Sequence, residues 1–255
     1  MIFSLLKFTG VKLPTIKLRT IGRLKSHNIT IEGNYVIVVS SSDKVTIKQN
    51  NVAATYDIVP NKKNIIRLRD NINTFACNYD TNIIYIKLVI PSPTIESLGS
   101  AFRGNTKMQA VDISKVNTTK IWNIGDICRD CPQLQSMDIS VLDNNHKIGL
   151  TGAWAMGCTN LQKVNANFNM RNLTSMGALF RGCYNLTDLI WGYDCAESLE
   201  FQSSPLTHKS AMSVINGMAR IAGIRNITFS KQTYNTLTKE EIALATSKGW
   251  SVASS

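Results

Sequence analysis

Cysteine is the residue type whose spacing in this sequence comes closest to a chemical site. Cys128-x-x-Cys131 has the spacing of half a zinc site, since two thiolates at this interval can bind one tetrahedral ion. The chain has no second C-x-x-C, and its histidines, His27, His146 and His208, show no ligand spacing. We therefore predict no metal. Cys131, Cys158 and Cys183 recur at near-constant intervals, which predicts small buried thiols, kept reduced in a cytosol.

Other catalytic patterns are missing from the sequence. It contains no glycine-rich phosphate loop and no G-x-S-x-G nucleophile motif. The clearest acidic pair, Asp112 and Asp138, fills equivalent positions of a repeat. We predict that the protein is not an enzyme and has no cofactor. A Cys–His pair brought together by folding, in a small-molecule- or glycan-processing enzyme, is the alternative left open.

The charge of the chain is strongly positive and uneven. The net charge is +11, and the segment 1–25 contains six bases and no acid: Lys7, Lys12, Lys17, Arg19, Arg23 and Lys25. These bases alternate with apolar residues, and no nucleic-acid motif accompanies them. The pattern predicts an N-terminal arm, residues 1–27, that contacts an acidic partner. The alternatives are an ordinary solvated basic face, or a first strand of the following domain.

A sequence repeat organises the middle of the chain. Apolar residues that close each unit are 26, 27 and 25 positions apart; they are Met108, Leu134, Leu161 and Leu186. A near-constant period in this range is typical of a solenoid, in which no unit can bury its own apolar side chains alone. The alternating end of each unit predicts a short strand, and stacked units then form a parallel sheet.

The best-preserved unit, Phe180-Arg181-Gly182-Cys183-Tyr184-Asn185-Leu186, has the pattern F-x-G-C-x-N-L, followed by an L-x-x-L-x-L-like run. This resembles the BspA-type leucine-rich repeats of bacterial surface proteins, and related repeats occur in phage appendage proteins. The resemblance covers roughly residues 83–255. The second unit departs from it at Cys128 and Asp130, and the third at Ala155, where Trp154 or Met156 is expected to fill the volume.

Alternation also predicts which strand positions face away from the core. Asp112, Asp138, Asn165 and Ile190 occupy one such column, and we interpret its polar members as possible ligand-facing positions for a protein or a glycan. Trp122 is a further candidate, because an exposed tryptophan suits sugar stacking or an interface. The alternatives are an ordinary solvated polar surface for the column and core packing for Trp122.

The predicted fold is mostly β: a small antiparallel β-domain, then a leucine-rich-repeat-like solenoid, then an α-containing C-terminal cap. Short strands separated by turn residues predict the β-domain, namely Asn28–Glu32, Tyr35–Ser40, Lys44–Gln49, Thr55–Val59 and Asn64–Leu68. Helical spacing predicts a helix over Thr207–Ala222 that ends at Gly223, and Thr238-x-x-Glu241 predicts a capping box. The domain boundaries are 1–27 for the arm, 28–82 for the sandwich-like β-domain, 83–199 for the solenoid and 200–255 for the cap.

These observations favour a structural and interaction protein over a catalyst. No apolar run approaches the roughly 18 residues of a membrane helix, and the start of the chain does not have the form of a secretory signal. We expect a phage virion component such as a head or tail fibre, made in the host cytoplasm, that binds other virion proteins or itself as a homo-oligomer. The alternative is a bacterial surface adhesin that binds a host protein or glycan.

Overall fold

The structure is a computed structural model that describes residues 32–144 and 148–255. Strands hold 34% of the chain and helices 12%, so the mostly β class predicted from the sequence is confirmed. The strands are β1 Tyr35–Ser40, β2 Lys44–Gln49, β3 Val52–Asp57, β4 Asn64–Arg67, β5 Phe75–Ala76, β6 Ile83–Ile90, β7 Ala110–Val116, β8 Ser136–Asp138, β9 Lys163–Asn169, β10 Asp188–Tyr193, β11 Leu199–Phe201, β12 Arg225–Phe229 and β13 Trp250–Ser254. The helices are α1 His208–Gly217, α2 Lys231–Tyr234 and α3 Lys239–Ser247, with a 3-10 helix at Ser140–Asn144.

The described strands form three sheets. The largest has seven strands in the order β10-β9-β8-β7-β6-β1-β4. Its strands β6 to β10 pair in parallel, whereas β1 is antiparallel to both β4 and β6. The two other sheets have three strands each, β3-β2-β5 and β11-β12-β13. Two strands of the region predicted as an antiparallel domain, β1 and β4, therefore share a sheet with the repeats, while β2, β3 and β5 form a sheet of their own.

Alternating side chains explain the N-terminal strands. Val36 and Val38 of β1 are buried, as are Val45 and Ile47 of β2, while the residues between them face outward. The sequence predicted the bounds of both strands correctly. The third strand begins earlier than predicted, at Val52, because Asn50 and Asn51 alone make the turn, with φ of 53° and 63°. Asparagine tolerates this left-handed region, which a two-residue hairpin turn needs.

A second parallel ladder runs along the repeat units, outside the named strands. Isolated bridges join Thr74 to Ser97, Ser97 to Asn123, Asn123 to Leu150 and Leu150 to Thr174. Backbone N–H groups of one unit continue this pairing by donating to carbonyls of the next, as Phe102 does to Ile127 and Cys128 to Trp154. Each unit is thus hydrogen-bonded to its neighbour at two places. Because the units have nearly the same length, equivalent residues stay paired at both places.

Equivalent apolar residues of the units are buried together in one core. Met108, Leu134, Leu161 and Leu186 are each fully buried, which confirms the repeat register predicted from the sequence. Trp154 is also fully buried, and its ring centroid lies 6.0 Å from that of Phe180. Trp154 therefore fills the space that Ala155 leaves, as one of the two sequence-based alternatives proposed.

Helix α1 covers the β10 edge of the large sheet. The Ser210 hydroxyl accepts a hydrogen bond from the Leu189 N–H at 2.9 Å, and the Ser213 hydroxyl accepts one from the Trp191 N–H at 2.9 Å. These hydroxyls accept hydrogen bonds from backbone N–H groups that would otherwise lie unpaired at the open edge of the sheet. The approach is close enough that a side chain on Gly217 would collide with the carbonyl of Gly192.

The C-terminal helices follow the capping residues. Thr238 and Glu241 form the predicted capping box of α3. Helix α1 begins after Thr207, but its predicted end at Gly223 is wrong. The helix stops at Gly217 because Met218 becomes extended and forms a parallel bridge with Cys195. In the part of the chain that the structure describes, no helix has the length and apolarity needed to cross a membrane.

The buried leucine column gives a direct test of this packing. Leu161→Ala should lower the free energy of unfolding by about 2–5 kcal/mol, because it opens a cavity in a fully buried position. Leu150→Ala is the matched control, since Leu150 is 47% exposed, and it should cost less than about 0.5 kcal/mol. Both are measured by urea denaturation; equal costs for the two variants would contradict the register.

Candidate binding face

One face of the seven-stranded sheet carries a row of outward side chains from every strand. Ile37 lies opposite Ile65 and Lys87, and Lys87 lies opposite Asp112. Asn165 lies opposite both Asp138 and Ile190, and the Ala110–Ser136 pairing brings Asp112 and Asp138 onto neighbouring positions. We call these residues the face row; in order they are Ile65, Ile37, Lys87, Asp112, Asp138, Asn165 and Ile190.

The acidic members of the face row share a turn geometry. The Asp112 Oδ1 atom accepts hydrogen bonds from the Ser114 N–H at 2.9 Å and from its hydroxyl at 2.6 Å. Asp138 Oδ1 accepts the same pair from Ser140, at 2.9 and 2.7 Å. Each carboxylate therefore fixes the backbone two residues further on, within β7 for Asp112 and at the end of β8 for Asp138, which is a local structural role for an Asp-x-Ser sequence.

The second oxygen of each carboxylate binds the neighbouring strand. Lys87 Nζ donates to Asp112 Oδ2 at 2.7 Å, and Asn165 Nδ2 donates to Asp138 Oδ2 at 3.2 Å. Partial burial alone would raise the pKa of Asp112, but the hydrogen bonds from Lys87 and Ser114 outweigh it and hold that pKa below its ordinary value. The centre of the face row is thus a chain of internally paired polar groups.

The two ends of the face row are apolar and exposed. Ile65 is 53% exposed and Ile190 is 47% exposed. Parallel sheets are usually covered on both faces by helices, so an accessible face on parallel strands is unusual. Here α1 packs at the β10 edge of the sheet. The arrangement offers a polar strip between two apolar contact points, and such a surface can bind a partner without performing chemistry on it.

Trp122 lies apart from the face row. Its side chain is 45% exposed, so it is not a core residue, and it directly precedes Asn123 in the second ladder.

Asn123 and Leu150 line an open depression of about 410 Å³, whose lining also includes glycines, namely Gly125, Gly152 and Gly177. Asp126, a charged residue of this lining, forms ion pairs with Arg103 at 3.3 Å and Arg129 at 3.4 Å.

The structure thus brings together some of the residues singled out in the sequence. Asp138 and Asn165 are hydrogen-bonded, and Asp112 occupies the neighbouring position of the same row. Lys87 was not identified from the sequence, although it precedes Asp112 by one repeat interval. The basic residues proposed for the arm lie outside the described residues; they are Lys7, Lys12, Lys17, Arg19, Arg23 and Lys25.

The repeated cysteines have a structural partner in each case. Cys131 Sγ donates to the Phe102 carbonyl, Cys158 Sγ to the Cys128 carbonyl and Cys183 Sγ to the Ala155 carbonyl, each at 3.0 Å. All six cysteines are buried and unpaired with one another. Burial raises the pKa of Cys183 to about 12 and also raises that of Cys128. Across residues 32–144 and 148–255, no three His, Cys, Asp or Glu side chains are grouped to hold a metal.

Comparison of the chain with protein-family models, with curated proteins and with solved structures gave no match.

The buried thiols should be inert in the folded protein. We expect no reaction with an aromatic disulfide reagent at pH 8 in buffer, because a thiol with a raised pKa supplies almost no thiolate. All six should react after denaturation in guanidinium. Rapid reaction of a thiol in the native protein, or stoichiometric zinc by elemental analysis, would contradict this structural role.

The Lys87–Asp112 pair should show a defined pH dependence. A double-mutant cycle with Lys87→Met and Asp112→Asn should give a coupling energy of about 0.5–1 kcal/mol at pH 7. Because the folded pKa of Asp112 is lowered, this coupling is present above the ordinary value of 3.8 and is lost as the pH falls through the lowered pKa. A coupling energy that stays constant through this range would show that the carboxylate is not the interacting species.

Proposed function

We propose that this protein is a non-catalytic structural and interaction protein, a virion appendage component that attaches through its N-terminal region and displays a repeat domain. The proposal has three supports: the open face row, the repeat architecture and the resemblance of the repeats to those of surface and appendage proteins. The burial of all six cysteines is consistent with it, because a buried thiol whose pKa is raised, as at Cys128 and Cys183, is a poor nucleophile.

We interpret the repeat region as a leucine-rich-repeat-like solenoid. Support comes from the two parallel ladders, which join successive units at β6 to β10 and at Thr74 to Thr174. The leucine column and the thiol-to-carbonyl bonds recur at the same interval. A solenoid is a stiff scaffold with a long regular surface, which suits a protein that must present a binding face at a distance from its attachment point.

The observation that carries the interaction function is the accessible face on parallel strands. Lys87 and Asp112 compensate each other's charge, while Asp138 is held by the neutral amide of Asn165, so the row carries one net negative charge. Its exposed Ile65 and Ile190 provide apolar area at both ends. We infer that the partner is a protein or glycan surface that covers several strands at once, with Ile190 as one anchor.

The first experiment locates the protein. Particles purified on a density gradient should contain the wild-type chain, detected by mass spectrometry and by immunogold labelling. A variant that lacks residues 1–22 should fold, as judged by circular dichroism, but should be missing from the particles. Recovery of the wild-type chain in the bacterial cell envelope, and not in particles, would favour the surface adhesin instead.

The second experiment tests the face. Fluorescently labelled wild-type protein is incubated with intact host cells, and bound label is measured by flow cytometry. Ile190→Glu should reduce binding at least about fivefold, because it places a charge at an apolar anchor. Tyr184→Glu is the matched control, since Tyr184 is also a large exposed side chain, 65% exposed, outside the face row. Equal binding by all three proteins would exclude the face row as the contact surface.

A further inference from the structure

Strand β3 is exposed on both of its faces. In Val52–Asp57 every residue is exposed except Tyr56, which is partly buried. The strand pairs with β2 on one side, and in the described chain it is the outer strand of its sheet. Exposure on both faces distinguishes β3 from β1 and β2, which bury alternate residues in the core. Core packing therefore accounts for Tyr56, which packs against the core, but not for the other residues of this strand.

The hairpin geometry shows which backbone groups point outward. The two-residue turn at Asn50-Asn51 makes Gln49 and Val52 a hydrogen-bonded pair. The Asn50 N–H donates to the Thr74 carbonyl on the other side of β2, and the Ile58 N–H donates to the Asp43 carbonyl, which agrees with this alternation. Because hydrogen-bonded pairs alternate in antiparallel strands, the N–H and C=O groups of Ala53, Thr55 and Asp57 face away from β2.

Little on this edge discourages pairing with another strand. Protected edges usually carry lysine, proline, a bulge or a very short strand. β3 has six residues, pairs with β2 without a register shift and contains one charge, Asp57, at its end. The part of the strand before Asp57, Val-Ala-Ala-Thr-Tyr, combines β propensity with small side chains.

We propose that β3 binds β3 of a second copy of this chain, antiparallel and with a twofold axis at Thr55. In this register Thr55 lies opposite the partner's Thr55, and Ala53 lies opposite the partner's Asp57. Each of these pairs exchanges two backbone hydrogen bonds through the outward groups. The two three-stranded sheets then become one six-stranded sheet across the dimer axis.

The side chains on both sheet faces are complementary in this register. Thr46 and Thr55 already share a hydrogen bond of 3.1 Å between their hydroxyls, and the pairing extends it into a row of four threonines. On the other face, Tyr56 lies over the partner's Ala54, so a large side chain meets a small one.

Charge favours the same register. Asp57 is opposite Lys44 within its own hairpin, and Lys48 is opposite Ala53. The pairing places each Asp57 across from the partner's Ala53, one strand away from the partner's Lys48. Opposite charges therefore alternate across the joined sheet, and no like charges face each other. Pairing of this kind is independent of the proposed appendage function.

The first test is self-association measured by analytical ultracentrifugation of the full chain. The wild type should show a concentration-dependent dimer in the micromolar range. Thr55→Lys should raise the dissociation constant at least about tenfold, since the twofold axis brings the two lysines face to face. Ile224→Lys is the control, because Ile224 is a 76% exposed isoleucine that belongs neither to β3 nor to the face row. A monomeric wild type, or an equal effect of the control, overturns the proposal.

The second test fixes the register independently of association strength. Thr55→Cys should form an intermolecular disulfide under mild oxidation, because Cα atoms of a hydrogen-bonded pair are about 5.5 Å apart. The native cysteines are buried and should not contribute. Thr46→Cys, on the same face but one strand inward, should not cross-link. Cross-linking at residue 46 but not at residue 55 overturns the proposed pairing.

Discussion

Backbone registration between consecutive repeat units is the constraint on which the rest of this structure depends. Each unit donates hydrogen bonds to the next at a strand and again at the second ladder. Because each unit is attached to the next at two places, the number of residues in a unit is fixed. The height of each residue, meaning its level along the direction in which the units stack, is fixed as well. Buried columns such as Leu134, Leu161 and Leu186 follow from that alignment, because residues at equal height in adjacent units must contact each other.

The cysteine positions are best understood through the same constraint. A thiol is a weak donor, yet in the core it adds a hydrogen bond to a carbonyl of the neighbouring unit, and it is small enough to fit between units. Asn105 occupies the corresponding position in the first unit, where its amide donates to Cys77 Sγ at 3.8 Å. Its Oδ1 atom is buried and has no hydrogen-bond partner among the described residues. Where asparagine stands in place of cysteine, a buried acceptor is therefore left without a hydrogen-bond partner. This occurs at the unit where the strand pairing of the large sheet changes from antiparallel to parallel.

Features that repeat were predictable from the sequence, and features that depend on one contact were not. The repeat register and the buried cysteines follow from the period of the units, which several units share. The strands β1 and β2 follow from the alternation of apolar and polar residues along each strand. The end of α1 could not be predicted, because the bridge between Met218 and Cys195 competes with a helical pattern that continues to Ala222. Asp112 and Asn165 were identifiable as outward positions, but the Lys87 ion pair requires the pairing of β6 with β7. The arm residues lie outside the described chain.

The way α1 covers the β10 edge has an evolutionary consequence. Two of its serine hydroxyls accept hydrogen bonds from backbone N–H groups, Ser210 from Leu189 and Ser213 from Trp191, and backbone groups are common to every unit. A tandem duplication of one unit in the gene would therefore present α1 with the same edge. The restriction lies in the helix: it must keep glycine at Gly217, because a side chain there would collide with the carbonyl of Gly192, and every residue has such a carbonyl. Chain length could thus change by whole units, provided that the last unit also fits the buried face of α1, which includes Ala211, Val214 and Ile215.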